Sequence, residues 1–438
     1  MSAALPEYVP KVILLTGGAG FIGSHVVIRL AKRYPEYTIV NFDKLDYVAC
    51  LKNLEEVASL PNYRFVKGDI CNADMVNFVM EQYNIDTVMH FAAETHVDNS
   101  FGNSFVFTMT NVMGTHVLLE AAKAHNIRRF LHVSTDEVYG EGNSLDDDPV
   151  GSTETRKLEP TNPYAASKAA AEMIANSYMR SFGLPLIITR GACGCGLCGR
   201  ASRLSPPLSL SLSLSLSLSR PGSHLNVLFS LASPIASSSR ISTLSPRSRR
   251  TTYLLGNNVY GPHQYPEKLI PKFSMRLMRD MPLCIHGDGS NTRNYLYATD
   301  AAAAFDTILH KGVVGEVYNV GSPDEISNLD VATTLLEVFG MADREEMLTF
   351  VVDRPFNDLR YPLERCKLAE LGWEPEVGWK EGLRQTVEWY KTNGGNWGSC
   401  DSALVAHPRR GAPAVTTAPS GHGSSTHSPP RTPTRARL

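Results

Sequence analysis

The chain has 438 residues, 42 of them basic and 44 acidic, for a formal net charge of −2, and 43% are apolar. That mix fits a globular, enzyme-sized protein of roughly two or three domains. Its apolar runs fall short of the about 20 residues that a membrane span needs, and eight cysteines do not make a disulfide scaffold.

The start, MSAALPEYVP, shows neither the basic nor the apolar region of a signal peptide. A reducing, cytoplasmic setting is therefore expected. The charge is unevenly spread. Residues 192–256 hold seven arginines and no lysine, aspartate or glutamate; residues 398–438 hold five arginines and one acid, Asp401. The rest carries −13, which is ill suited to holding nucleic acid by counterion release.

In chain order, KVILLT (11–16), TIVNFD (38–43), YRFVKGD (63–69), TVMHFAA (87–93), RFLHVST (129–135) and PLIITR (185–190) read as buried parallel strands. Helical patterns cover 21–33, 73–83, 111–125 and 163–181. Repeated βα units predict an α/β fold, a doubly wound Rossmann-type parallel sheet. Ligands of such sheets sit at the carboxyl ends of the strands. Residues 11–191 are thus the first part of a nucleotide-binding domain.

The texture breaks at 192–256. Perfect Leu/Ser alternation (208–219) is what a CT dinucleotide repeat encodes in every frame. The segment reads as a disordered insertion, from a retained intron or a gene-prediction error; a genuine surface loop is the other reading. Cys193, Cys195 and Cys198 lack a second ligand pair, so no metal is expected there. Normal texture returns at 257–397, with helices near 268–280, 328–340 and 380–392. From 398 onward the Pro/Ser/Thr/Gly/Arg composition reads as a disordered tail.

The first strand runs into GGAGFIG. Gly17, Gly20 and Gly23 permit a tight strand-to-helix turn and close approach of a pyrophosphate to the helix amino terminus. Asp43 ends the second strand 20 residues after Gly23 and suits the ribose hydroxyls of NAD; the neighbouring Lys44 tempers the preference over NADP. Asp69 and Ile70 follow the third strand, where an adenine would lie. VSTDEVYG places Thr135, Asp136 and Glu137 at a strand end. Adjacent carboxyls in contact suit a division into acid and base. PYAASK puts Tyr164 and Lys168 four apart on one helix face, with Asn162 as cap and Pro163 in the first turn. A lysine beside a phenol makes it a usable base. His90 and His96 read as packing or hydrogen-bonding histidines.

TGGAGFIGSH, FDKLDY, HFAAETHVD, STDEVYG, TNPYAASKAAAE, NVYGPHQYPEKLIPKF, TRNYLYATD and DRPFNDLRY together resemble the extended short-chain dehydrogenase/reductase enzymes that act on nucleotide sugars, most of all the dTDP-glucose 4,6-dehydratases. The resemblance spans about 11–397, broken only by the insertion. It implies a smaller carboxy-terminal substrate-binding domain, homodimers formed through paired helices, and NAD held with the help of Phe21, Ile22 and Ala92. It implies that Tyr164, steadied by Thr135 and Lys168, takes the carbon-4 hydroxyl proton, that Glu137 removes the carbon-5 hydrogen, and that Asp136 protonates the departing carbon-6 hydroxyl. Asn258, Glu267, Lys268, Leu269, Arg293 and Arg354 would hold the nucleotide sugar. UDP-glucose 4,6-dehydration and 4-epimerisation remain as alternatives, as does an inactive binding protein spoiled by the insertion.

Overall fold

The computed structural model describes residues 7–140, 152–191, 257–323, 325–351 and 363–405. The expectations for 192–256, for the Cys193–Cys198 cluster and for Arg354 lie outside these residues.

Seven parallel strands form the main sheet: β1 (Val12–Thr16), β2 (Thr38–Asp43), β3 (Tyr63–Lys67), β4 (Thr87–His90), β5 (Arg129–Val133), β6 (Leu186–Gly191) and, from beyond the insertion, a strand at Val317–Val320. Their spatial order is Val317–Val320, β6, β5, β4, β1, β2, β3. The chain winds outward in opposite directions from β1 and β4, which pair from Ile13↔Thr87 to Thr16↔His90. That reversal opens a crevice at their carboxyl ends. Three expected strands end earlier than their apolar runs. β3 stops at Lys67, β4 at His90 and β5 at Val133, because the residues beyond leave the ladder to form the crevice rim.

Both faces are covered. Ile13, Leu15, Met89 and Ile187 pack on the helices Phe21–Arg33 and Ala298–Lys311. Leu14, Val40, Val88 and Phe130 pack on Ala73–Gln82, Thr115–Ala124 and Pro163–Phe182. The third of these begins as expected. Asn162 caps it by accepting from the Ala165 amide at 2.8 Å, Pro163 fills the first turn, and Gly183 (φ 69°) ends it in the left-handed region. The helix expected at 111–125 extends back to Ser104 through a π-turn, Thr108–Gly114. Asn111, inside that turn, donates to Ser167 Oγ at 2.9 Å and exchanges bonds with the Glu94 backbone. A buried asparagine there ties two helices and a crevice loop together, a common setting for a π-turn.

Strands β7 (Asn257–Tyr260), β8 (Leu283–His286), β9 (Thr292–Tyr297), β10 (Val317–Val320), β11 (Glu325–Ser327) and β12 (Leu348–Val351) complete the set. β7 pairs with β9 and β9 with β11, while β8 pairs with β12. These two small sheets surround a separate apolar core that includes Tyr260, Phe273, Leu335 and Val387. The segment after the insertion therefore supplies both this region and an edge of the main sheet. The described residues up to Leu404 form one compact unit. The first residues of the disordered tail expected from 398 are held instead: Cys400 and Leu404 are buried with Met275 and Tyr390, and Arg276 donates to the Leu404 carbonyl at 2.6 Å, while 406–438 lie outside the described residues. Two apolar anchors in a polar-looking stretch were enough to hold it.

Candidate active site

The crevice at the strand ends is walled by the glycine turn on one side and the loop 264–268 on the other. Each glycine of the turn has its own reason. Gly17 has φ +73°, and a Cβ there would stand 2.6 Å from the Ala92 amide nitrogen of the β4 loop. A Cβ on Gly23 would strike the Gly17 carbonyl. Gly20 meets only that carbonyl, at 3.2 Å. Its missing side chain leaves the crevice side open for a ligand, at the first turn of a helix that has no side-chain cap. This cradle fits a dinucleotide pyrophosphate.

Asp43 lines the crevice as expected. Its two oxygens accept from the Ala19 amide at 2.9 Å and the Leu45 amide at 2.8 Å. Burial raises its pKa, and these two amides and Lys44 oppose the rise. A carboxylate has acceptor sites beyond two, so it can brace the glycine turn and still receive a ribose hydroxyl. Lys44 lines the crevice too, and its Nζ lies 2.9 Å from both Asp46 and Glu94. Burial works against its charge, yet the two carboxylates raise its pKa overall.

Phe21, Ile22, Ile70 and Ala92 also line the crevice. Asp69 does not. It accepts from the Cys71 amide at 2.8 Å, and Gly68 and Ile70 make the wall there.

Tyr164 and Lys168 line the deep end beside Val133 and Ser134. Lys168 Nζ donates to the Val133 carbonyl at 2.5 Å, which pins the helix to the end of β5. Thr135 caps the turn Asp136–Tyr139, and Thr135, Asp136 and Glu137 are all buried, just outside the crevice wall. Thr135 Oγ1 donates to Asp136 Oδ1 at 3.1 Å and accepts from the Glu137 amide at 3.3 Å. Asn162 Nδ2 donates to Glu137 Oε2 at 2.8 Å. The sequence marked Asn162 only as a helix cap; nothing in its local pattern announced the second bond. His90 bridges Thr16 and Thr115 at 2.8 and 2.9 Å, and burial with nearby Lys168 pushes its pKa down to about 3. It is a neutral hydrogen-bonding histidine.

Across the crevice, Glu267 and Lys268 join the wall. Tyr47, beyond β2, donates to Glu267 Oε2 at 3.1 Å, and His96 stands 3.8 Å from that oxygen. Leu269 is buried at the start of the helix Leu269–Leu277, and Asn258 and Arg293 are buried on β7 and β9, outside the crevice wall. Arg293 donates to the Thr292 carbonyl at 2.6 Å. No group of His, Cys, Asp or Glu among the described residues is arranged to hold a metal ion.

Residues 14–192 match the GDP-mannose 4,6 dehydratase family, and residues 247–321 match the NAD dependent epimerase/dehydratase family. The dTDP-D-glucose 4,6-dehydratase of Bos taurus is 42% identical over 407 residues, covering 92% of this chain and 95% of that protein. The chain belongs to the NAD dependent epimerase/dehydratase family. Within that family, a trifunctional UDP-glucose 4,6-dehydratase/UDP-4-keto-6-deoxy-D-glucose 3,5-epimerase/UDP-4-keto-L-rhamnose-reductase of Arabidopsis thaliana is 48% identical over 403 residues. The match covers 92% of this chain, which spans about half (50%) of that relative. A solved dTDP-glucose 4,6-dehydratase from Streptomyces venezuelae with NAD bound shares the fold at a TM-score of 0.69 and 35% identity, covering 89% of this chain and 99% of that one. A UDP-glucose 4-epimerase from Thermotoga maritima gives 0.66 and 26%, covering 87% and 99%.

Proposed function

We propose that the protein is an NAD-dependent 4,6-dehydratase of a pyrimidine nucleoside-diphosphate glucose, dTDP-glucose in the first instance. The observation that carries this reading is the buried stretch Thr135-Asp136-Glu137, tied through Asn162 to the start of the helix that carries Tyr164 and Lys168. An epimerase needs the phenol and the ammonium but no second carboxyl.

Bound NAD would supply the acceptor for the carbon-4 hydride and its return to carbon 6. The protein's own groups move the protons. Tyr164 takes the carbon-4 hydroxyl proton, aided by Lys168 and Thr135. The new ketone acidifies carbon 5, and Glu137 takes that proton. The carbon-6 hydroxyl leaves as water with a proton from Asp136, a double bond forms between carbons 5 and 6, and Glu137 would return its proton to carbon 5 when the hydride reaches carbon 6. Ion pairing of Lys44 with Asp46 and Glu94 offsets its charge beside Asp43, which favours NAD over NADP. Glu267 and Lys268, from the crevice wall, together with Leu269, Asn258, Arg293 and Arg354, are the proposed nucleotide-sugar contacts.

Two observations bear on the base. Coverage of 95% of the bovine dTDP-glucose enzyme supports thymidine. The higher identity to the plant protein, 48%, favours UDP-glucose as the second reading. With either sugar deuterated at carbon 4, the label should appear at carbon 6 of a 4-keto-6-deoxy product without added NAD. Loss of the label to solvent, or an epimer as the sole product, would refute the dehydratase reading.

A homodimer and a cytoplasmic location complete the proposal. Phe105 (70% exposed) and Met113 on one helical run, and Met173 (61% exposed) on Pro163–Phe182, leave an apolar two-helix face suited to a second copy. No helix among the described residues is long and apolar enough to cross a membrane. Phe105→Glu with Met173→Glu should convert a sedimenting dimer into a folded monomer; an unchanged sedimentation coefficient would move the interface elsewhere.

A further inference from the structure

We propose that Asn162 is a positioning residue for Glu137, fixing which of the two adjacent carboxyls is the base. The proposal deepens the dehydratase reading and rests on Glu137 acting at carbon 5.

Asn162 has extended backbone (φ −137°, ψ 163°), and its Oδ1 accepts from the Ala165 amide at 2.8 Å. That bond fixes the amide's orientation, because only its oxygen can accept. The Nδ2 end is thereby committed to Glu137 Oε2, at 2.8 Å. Both side chains are buried, where a hydrogen bond to a charged group is strengthened.

The two carboxyls have different neighbours. An amide nitrogen can only donate, so it favours the ionised form of Glu137. Asp136 faces the Thr135 hydroxyl at 3.1 Å. A hydroxyl can rotate and accept, so it tolerates a protonated Asp136. On these two bonds the proton falls to Asp136 and the negative charge to Glu137, the assignment that elimination requires. One rigid helix then carries Tyr164, Lys168 and, through Asn162, the aim of the base.

The test uses replacements that keep the cap. Ser and Asp cap helices about as well as Asn, but Ser lacks the amide donor and Asp replaces it with a second acceptor. The full chain and the chain lacking 192–256 are each loaded with NAD and mixed with substrate in single turnovers. In Asn162→Ser and Asn162→Asp, oxidation at carbon 4 should proceed as in the parent. Elimination should slow by about 10- to 100-fold, the range for losing a hydrogen bond to a charged group, and reduced nicotinamide should accumulate. Independently of turnover, the protonated-carboxyl infrared band that Glu137→Gln removes should be weak in the parent and strong in Asn162→Asp.

Elimination at the parent rate in folded variants, equal slowing of both steps, or an unchanged infrared band would overturn the proposal. If one replacement fails to fold, the other carries the comparison. If Glu137→Gln itself leaves elimination unchanged, the base assignment falls instead.

Discussion

Replacing Glu137 by Gln lowers turnover by about 100- to 10,000-fold, the usual worth of a positioned proton acceptor, and does so at one step. The amide keeps the shape and can still accept from Asn162 Nδ2, whose partner atom is 2.8 Å away, so the turn Asp136–Tyr139 should hold. What is lost is the basic lone pair at carbon 5. In the proposed mechanism, oxidation at carbon 4 depends on Tyr164 and Lys168, which sit on a separate helix anchored at Val133. Rapid mixing should therefore show nicotinamide reduction at near-parent rate, followed by a stalled intermediate. Tyr164→Phe should abolish the reduction itself. If Glu137→Gln stops both steps alike, the two carboxyls do not divide the work in this way.

Deleting residues 192–256 should raise both soluble yield and turnover, the latter by roughly 100-fold, the scale of loss caused by small misplacement of reacting groups. Loop closure is the lesser issue: a 65-residue loop costs about 4 kcal/mol, survivable against a stability of about 5–15 kcal/mol. Position matters more. Gly191, the last residue before the segment, pairs with Val320 and lines the crevice; Val259, two residues after β7 begins, lines it too.

The near flank is firmly held. Arg190 forms a buried ion pair with Glu172 at 2.7 Å and donates to Tyr139 at 3.0 Å, and Tyr139 bonds Asn319 at 2.9 Å. Strain from the segment is therefore expected at the far flank, on the loop that carries Glu267 and Lys268. The LSLSLSLSLSLS sequence alternates leucine with serine and has no acidic gatekeeper, a pattern prone to intermolecular pairing. The 438- and 373-residue chains are compared for yield and turnover under identical conditions. Equal values would show a harmless surface loop.

Much of this molecule was determined by the sequence alone. The six amino-terminal strands, the glycine turn, the capped helix at Asn162 and the Tyr164–Lys168 spacing are local patterns. Buried parallel strands must be continuously apolar, and glycine and proline have few other uses at such positions. Tertiary structure decided the rest. The short strand Val317–Val320 closes the main sheet from 126 residues beyond β6, because an edge is filled by whichever segment the fold brings there. Four residues carry too little periodicity to reveal that. Lys44 looked like a cation near the ligand until Glu94, 50 residues away, took it up. Cys400 and Leu404 looked like tail until Met275 and Tyr390 buried them. Asn162 was legible as a cap because capping is a three-residue interaction. Its bond to Glu137 spans 25 residues and exists only because β5 and the following helix deliver both side chains to one buried point.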